Sequence, residues 1–128
     1  MINLSGLKLL ADRLKIDGIT SAKEFEAVGA LFKGIDPDTR CCLYLSRGAY
    51  FESMDSANLL RTFLMGNMNQ YSIITDPTCL KVFACFWPDG LSGPQFTGEA
   101  WSEDNAARAW AQATIQAKIN HLEGNEVT

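Results

Sequence analysis

The segment from Tyr71 to Trp87 constrains the fold more than any other part of the chain. It is rich in aromatic and β-branched residues, and an Asp-Pro-Thr turn at positions 76–78 divides it into two short runs. Such side chains favour the pleated, half-buried surface of a strand, and a turn between two runs is typical of an antiparallel hairpin. We therefore predict strands at 71–75 and 80–87 that form the centre of a sheet.

Helical periodicity precedes this segment at the N-terminal end. Apolar residues recur at helical spacing over positions 4–14, and Gly18 follows as a stop signal. A capping-box pattern at Ser21 and Glu24 then opens a second apolar stripe, which ends at Gly34. These two elements predict an N-terminal helical hairpin.

Two further elements lie between this helical hairpin and the predicted sheet. An Asp-Pro-Asp turn at positions 36–38 precedes Cys41–Leu45, which we interpret as a short strand, although Asp-Pro also opens helices. Ser53 then offers a helix cap, and apolar residues recur at helical spacing over positions 59–64. The pattern predicts a short third helix that ends at Gly66.

A glycine-bearing segment from Pro88 to Glu99 joins the predicted β-hairpin to the last helix. Its composition predicts a loop, with a short strand around Phe96 as the alternative. Ser102 and the acids after it then place a cap and negative charge at the start of a helix that runs to about Leu122.

The last helix carries an unusual number of alanines. Small side chains allow a helix to lie close against a sheet, so we expect this helix to be buried in the fold, with a homodimer through the same surface as the alternative. The glutamine and asparagine side chains at positions 112, 116 and 120 are expected on its solvent side. Residues 123–128 lack apolar periodicity and are expected to form a flexible tail.

These patterns together predict the α+β class, with a small antiparallel sheet covered by helices and an N-terminal helical hairpin. The chain has 128 residues, which fits one domain. We place that single domain at residues 1–122.

The charge balance argues against a nucleic-acid-binding protein. Eleven basic and fifteen acidic residues give a net charge of −4, whereas a protein that grips a phosphate backbone presents a broad basic surface. The longest strongly apolar run is 82–87, far short of the roughly 20 residues of a membrane-spanning helix. Because charged residues interrupt the N-terminal apolar positions, we expect no signal peptide and a cytoplasmic location.

Residues that support metal or nucleophilic chemistry are few. His121 is the single histidine, and its position near a helix C-terminus predicts a partly charged imidazole that interacts with the helix dipole. Adjacent Cys41 and Cys42 would point to opposite faces of the predicted strand, and none of the four cysteines has C-x-x-C spacing. We predict free structural thiols, no metal, no cofactor and no catalytic residues; an enzymatic alternative would use Cys79 or Cys85 as a nucleophile.

The organisation from Tyr50 to Leu122 resembles that of a known family. A short helix, a two-stranded hairpin ending near Trp87, a glycine-bearing loop and an alanine-rich final helix around Asn105–Ala109 follow one another. This order is similar to the phage ABA-sandwich family, small α/β proteins of lambdoid phages and prophages. The residues that carry the match at its start are Tyr50, Ser53, Asp55, Leu59 and Leu60.

The resemblance covers a little over half of the chain. Glu52 stands where the family commonly has a proline, the loop is longer, and the helical segment 4–32 is extra. The family brings no active site to transfer. It implies a phage-type accessory protein, a class whose members often bind a host protein and redirect or inhibit it.

The function expected from these observations is noncatalytic protein binding, in the form of an anti-CRISPR-like inhibitor of a bacterial host defence complex. We expect contact with a host protein or protein complex, without direct nucleic-acid or membrane binding. The alternative is a small-molecule-binding domain with an aromatic pocket between the sheet and the helices, lined by Tyr71, Trp87 and Trp101. The predicted partner-binding residues are Phe96, Glu99, Trp101, Glu103 and Asp104.

Overall fold

The computed structural model describes residues 3–14, 23, 26, 29–30, 34–51, 53–66, 71–76, 81–90, 92–101 and 106–125. Within these residues helices pack on a three-stranded antiparallel sheet, which confirms the predicted α+β class. The helices are α1 (Leu4–Arg13), α2 (Pro37–Tyr50), α3 (Met54–Met65) and α4 (Ala106–Glu123), and the strands are β1 (Tyr71–Asp76), β2 (Lys81–Phe86) and β3 (Phe96–Trp101).

Helix α2 replaces the strand predicted at Cys41–Leu45, so that prediction was wrong. The Asp36 carboxylate accepts hydrogen bonds from the Thr39 backbone amide at 2.8 Å and from its hydroxyl at 2.9 Å, and these bonds lower the pKa of Asp36. Pro37 stands at the first helical position, where its missing N–H costs no hydrogen bond. The Asp-Pro pair therefore opens a helix. Cys41 and Cys42 are consecutive residues of this helix and do not lie on opposite faces of a strand.

Helices α1 and α3 agree with the sequence prediction. The Asn3 side chain caps α1 by accepting a hydrogen bond from the Gly6 amide, and Ser53 caps α3 in the same way. Gly66 ends α3 with a φ of 73°, a value that favours glycine. The second helix of the predicted N-terminal hairpin lies mostly outside the described residues, although positions 23, 26, 29 and 30 are helical.

The predicted hairpin is present, with β2 as the central strand. β1 pairs with β2 along its whole length, from Tyr71 opposite Phe86 to Asp76 opposite Lys81. The turn between the two strands lies outside the described residues. β3 pairs with the other edge of β2, which confirms the alternative of a short strand around Phe96; the strand extends to Trp101, so the loop ends before Phe96 and not at Glu99. Short backbone turns ending at Gly90 and Gly93 reverse the chain and allow this pairing.

Helix α4 lies directly on β3 because Gly98 has no side chain. A Cβ added at this position would overlap the Ala113 carbonyl oxygen and the Ala117 amide nitrogen, and would lie 2.9 Å from the Gln116 Cβ. Ala113 and Ala117 are themselves completely buried. The expectation that alanines bring this helix close to the sheet is therefore confirmed.

A buried polar network joins α4 to α1 and α2. The Gln112 side chain donates to the Leu14 carbonyl and lies 2.5 Å from the Tyr50 hydroxyl, which also donates to Leu14. Arg108 donates to the Tyr50 carbonyl at 3.2 Å. The expectation that Gln112 faces solvent was wrong, because its side chain donates a hydrogen bond to the Leu14 carbonyl at the end of α1.

The end of α4 is also tied to the rest of the fold. Asn120, expected on the solvent side, donates to the Thr97 carbonyl at 2.5 Å. Glu123 is helical and pairs with Lys8 of α1 at 3.2 Å, and Asn125 donates to the Asn120 carbonyl at 2.8 Å. Helix α4 therefore ends one residue beyond the end predicted near Leu122.

Candidate protein-binding surface

The two faces of the sheet have different environments. Side chains alternate between the faces of a strand, and Val82, Ala84 and Phe86 of β2 are buried on the face that α4 covers. The intervening β2 side chains, and those of β3 in register with them, lie on the opposite face. We call this second surface the outer face; its residues are Lys81, Phe83 and the buried Cys85 of β2, and Thr97, Glu99 and Trp101 of β3.

Trp101 is the most prominent apolar group of the outer face. It is 46% exposed and stands at the end of β3, directly opposite Lys81 in the register. β3 is also an edge strand among those that the structure describes. A partner that lies on this face therefore meets an exposed aromatic side chain beside the unpaired edge of a strand.

Charged groups surround this aromatic side chain. Glu99 lies opposite Phe83 in the register, and its carboxylate is 3.3 Å from the Lys81 ammonium. The same ammonium is 5.2 Å from the centroid of the Phe83 ring. Because both charged side chains are well exposed, their ion pair contributes at most about 1 kcal/mol. A binding partner can therefore exchange this pair for contacts of its own.

The structure brings together two of the five predicted binding residues. Glu99 and Trp101 share the outer face, whereas Phe96 is 5% exposed and lies on the face covered by α4, its ring 5.1 Å from that of His121. Glu103 and Asp104 lie outside the described residues. Sequence reasoning missed Lys81 and Phe83, because the alternation along β2 shows only that they share a face, and the register with β3 places them beside Glu99.

The arrangement of Trp101 also bears on the alternative of an aromatic pocket between sheet and helices. Trp101 points away from α4, and the side chain of Tyr71 lies outside what the structure describes. Ala84, Ala113 and Ala117 are completely buried, and Gly98 allows backbone contact between β3 and α4. The described part of this contact is closely packed.

His121 occupies a partly buried aromatic setting rather than a simple position at a helix end. Its ring lies 5.1 Å from those of Phe86 and Phe96, and its Nδ1 is 3.2 Å from the Lys118 ammonium. Burial, and then the Lys118 charge, lower the pKa of His121, while Asp89 acts in the opposite direction. The neutral imidazole is therefore favoured, in contrast to the partly charged ring expected from the sequence.

This setting predicts a pH-dependent stability. The unfolded chain takes up the His121 proton first as the pH falls below about 6.5, because the folded pKa is lower. The free energy of unfolding should therefore decrease from that pH down through the folded pKa. Urea unfolding between about pH 7 and pH 5 should show a steeper loss in the natural protein than in His121→Phe, which keeps the aromatic packing. Equal slopes in both proteins would contradict this assignment.

The described cysteines lie on α2 and β2. Cys41, Cys42 and Cys85 are free thiols, and Cys79 lies outside the described residues. Burial raises the pKa of Cys42 to about 12, with the neighbouring Cys41 as a smaller cause. This thiol is therefore protonated at neutral pH and is a poor nucleophile. Across the described ranges, no group of three or more His, Cys, Asp or Glu residues is arranged to hold a metal ion.

Comparisons with known proteins yield no relative. No family model matches the chain, and neither a curated protein nor a solved structure is significantly similar to it. In the part of the chain that the structure describes, none of the helices combines the length and apolarity needed to cross a membrane.

Proposed function

We propose that this protein is a noncatalytic, phage-type accessory protein that binds a host protein through the outer face and thereby inhibits a bacterial defence complex. The observation that carries the proposal is the exposure of Trp101 among the paired charges of Lys81 and Glu99, on a sheet whose other face is buried. The resemblance of the chain's organisation to small phage proteins supports the same class of function.

The composition of the outer face suits protein recognition. Tryptophan is enriched among the residues that dominate binding energy, because it buries a large rigid surface at a low cost in conformational entropy. Phe83 adds a second, partly buried aromatic ring to the same face, opposite Glu99 in the register. Exposed charges at the margin affect association rate and partner choice more than affinity. We assign Trp101 as the central contact and Glu99 as a marginal one.

The charge of the chain favours a basic partner surface. The net charge is −4, and opposite charge on the partner accelerates diffusional encounter. Proteins that handle nucleic acids present basic surfaces of this kind. By covering such a surface, the protein would block access of nucleic acid in the cytoplasm of the bacterial host, without itself binding nucleic acid.

Capture of the partner from a bacterial lysate tests this proposal when two matched variants are compared. Trp101→Ala should abolish enrichment of the captured protein, because truncation of a central tryptophan commonly costs about 2 kcal/mol or more of binding free energy. Phe63→Ala should leave enrichment unchanged. Phe63 is similarly exposed, at 43%, but it lies on α3, whose main described contacts are with α2 and α4.

The comparison separates specific recognition from adhesion to an apolar surface. A protein captured equally by the natural chain and by Trp101→Ala would contradict the proposal, as would equal losses from both alanine variants. Circular dichroism of each variant confirms that the fold is kept, and the exposure of both side chains makes this the expected result.

A further inference from the structure

A groove lies along the outside of α2, and none of its lining residues belongs to the outer face. It has a volume of about 330 Å³ and is lined by Glu26, Gly29, Arg40, Leu43, Tyr44 and Arg47. This volume lies near the lower end of the range of about 300 to 1,000 Å³ for ligand sites. The groove therefore has room for one side chain or one small group.

The charges of the groove come mainly from two arginines of α2. Arg40 and Arg47 are seven residues apart, so two helical turns, roughly 10 Å, separate their backbone positions on the same side of the helix. Both side chains are exposed, and no carboxylate in the described part of the chain forms an ion pair with either of them. Two exposed guanidinium groups therefore flank the groove, and that of Arg47 also lies 6.0 Å from the centroid of the Phe51 ring.

The middle of the groove is apolar. Tyr44 is 74% exposed between the two arginines, the highest value among the large apolar side chains that the structure describes. Leu43 is partly buried beside it, and Gly29 on the opposite wall leaves space, since an added Cβ would make only an ordinary contact of 3.9 Å with Leu43. An apolar group can enter here without displacing the protein's own side chains.

We infer that this groove binds an acidic peptide segment of a partner protein, with one apolar side chain seated against Leu43 and Tyr44 and flanking carboxylates paired with Arg40 and Arg47. The planar guanidinium group matches the two oxygens of a carboxylate. The separation of the two arginines suits acids on both sides of a central apolar residue.

The same geometry disfavours a nucleic acid as the occupant. Glu26 lines the wall opposite α2 and would repel a phosphate backbone that runs through the groove. An acidic peptide can place its carboxylates at Arg40 and Arg47, away from Glu26, while its apolar side chain occupies the middle of the groove against Leu43 and Tyr44.

The inference is tested by nuclear magnetic resonance of the isotopically labelled full chain. The probe is the acetylated and amidated peptide Asp-Glu-Leu-Glu-Asp, added to millimolar concentration, with Lys-Lys-Leu-Lys-Lys and a single-stranded oligodeoxythymidine as comparisons. We expect the acidic peptide to shift the amide signals of residues 40–47. The lysine peptide and the oligonucleotide should leave these signals in place.

Charge-reversal variants identify the groups responsible. Arg40→Glu and Arg47→Glu should each lower the affinity for the acidic peptide by about tenfold. This loss is the equivalent of one hydrogen bond to a charged group. Lys81→Glu, a matched reversal on the outer face, should not change the affinity, and neither should Trp101→Ala. These variants therefore distinguish a wrong assignment of the groove as a peptide site from a wrong assignment of the outer face as a partner site.

Three results would overturn the inference. They are the absence of shifts at residues 40–47 with the acidic peptide, equal affinity of the natural chain and both arginine variants, and stronger binding of the oligonucleotide than of the peptide. All the substituted side chains are exposed or partly exposed, so the variants are expected to fold.

Discussion

Replacing Gly98 with alanine should destabilise the fold by about 3 kcal/mol. The added Cβ has no free space, because backbone atoms of Ala113 and Ala117 occupy its position. Backbone atoms of a helix cannot rotate away as a side chain does, so α4 must shift from β3 and lose contacts along the sheet. Urea unfolding followed by circular dichroism measures the loss.

Gly29→Ala provides the matched control for this substitution. Gly29 is helical, and an added Cβ there meets Leu43 at an ordinary contact distance of 3.9 Å. Alanine is the better helix former by up to about 1 kcal/mol, so this variant should be as stable as the natural protein or slightly more stable. If Gly98→Ala were equally well tolerated, the close approach of α4 to β3 would be wrong.

Phe96→Ala should be at least as damaging, with a loss of about 3 to 5 kcal/mol in the free energy of unfolding. The ring is 5% exposed and packs against His121 at the start of β3. Its removal leaves a cavity between the sheet and the end of α4, and the loss of packing contacts adds to the loss of apolar burial. The expected effect is on stability rather than on direct contact with a partner.

Phe63→Ala distinguishes this core role from a general effect of losing a phenylalanine. Phe63 is 43% exposed on α3, and its truncation should change the free energy of unfolding by no more than about 0.5 kcal/mol. Urea unfolding of both variants makes the comparison. A loss of less than about 1 kcal/mol for Phe96→Ala would place this ring outside the core.

The elements that sequence reasoning predicted correctly are those whose local signals agree with their tertiary setting. The β-hairpin combines strand-forming residues with a turn, and its β2 strand is buried on the α4 side as a central strand should be. Helix α3 has both a serine cap and a glycine stop. The alanines of α4 indicated close packing, and Gly98 supplies the space for it.

The failures occur where one local signal fits two structures. Asp36 and Pro37 are suited to a turn and equally to the first residues of a helix, and the apolar residues after them do not decide between the two. The glycines before and within β3 have the composition of a loop. There, pairing with β2 and contact with α4 outweigh the weak strand preference of the segment.

The candidate binding surface was only partly accessible to sequence reasoning for a related reason. A shift of one residue in register moves a side chain to the other face of a sheet. Phe96 and Trp101 are five residues apart, an odd number, so the same strand buries one and exposes the other. Composition alone places Phe96 and Trp101 in one binding site. The register of β3 shows that Phe96 belongs to the core and Trp101 to the surface.

Hydroxyl-radical footprinting of the protein, alone and bound to its captured partner, tests the outer face most directly, because it reads side-chain accessibility without any substitution. Oxidation of Trp101 should fall on binding, while oxidation of Phe63 on α3 should remain at the level of the free protein. Unchanged oxidation of Trp101 in the complex, or protection of Phe63 in its place, would show that the partner binds elsewhere and would contradict the proposed role of this face.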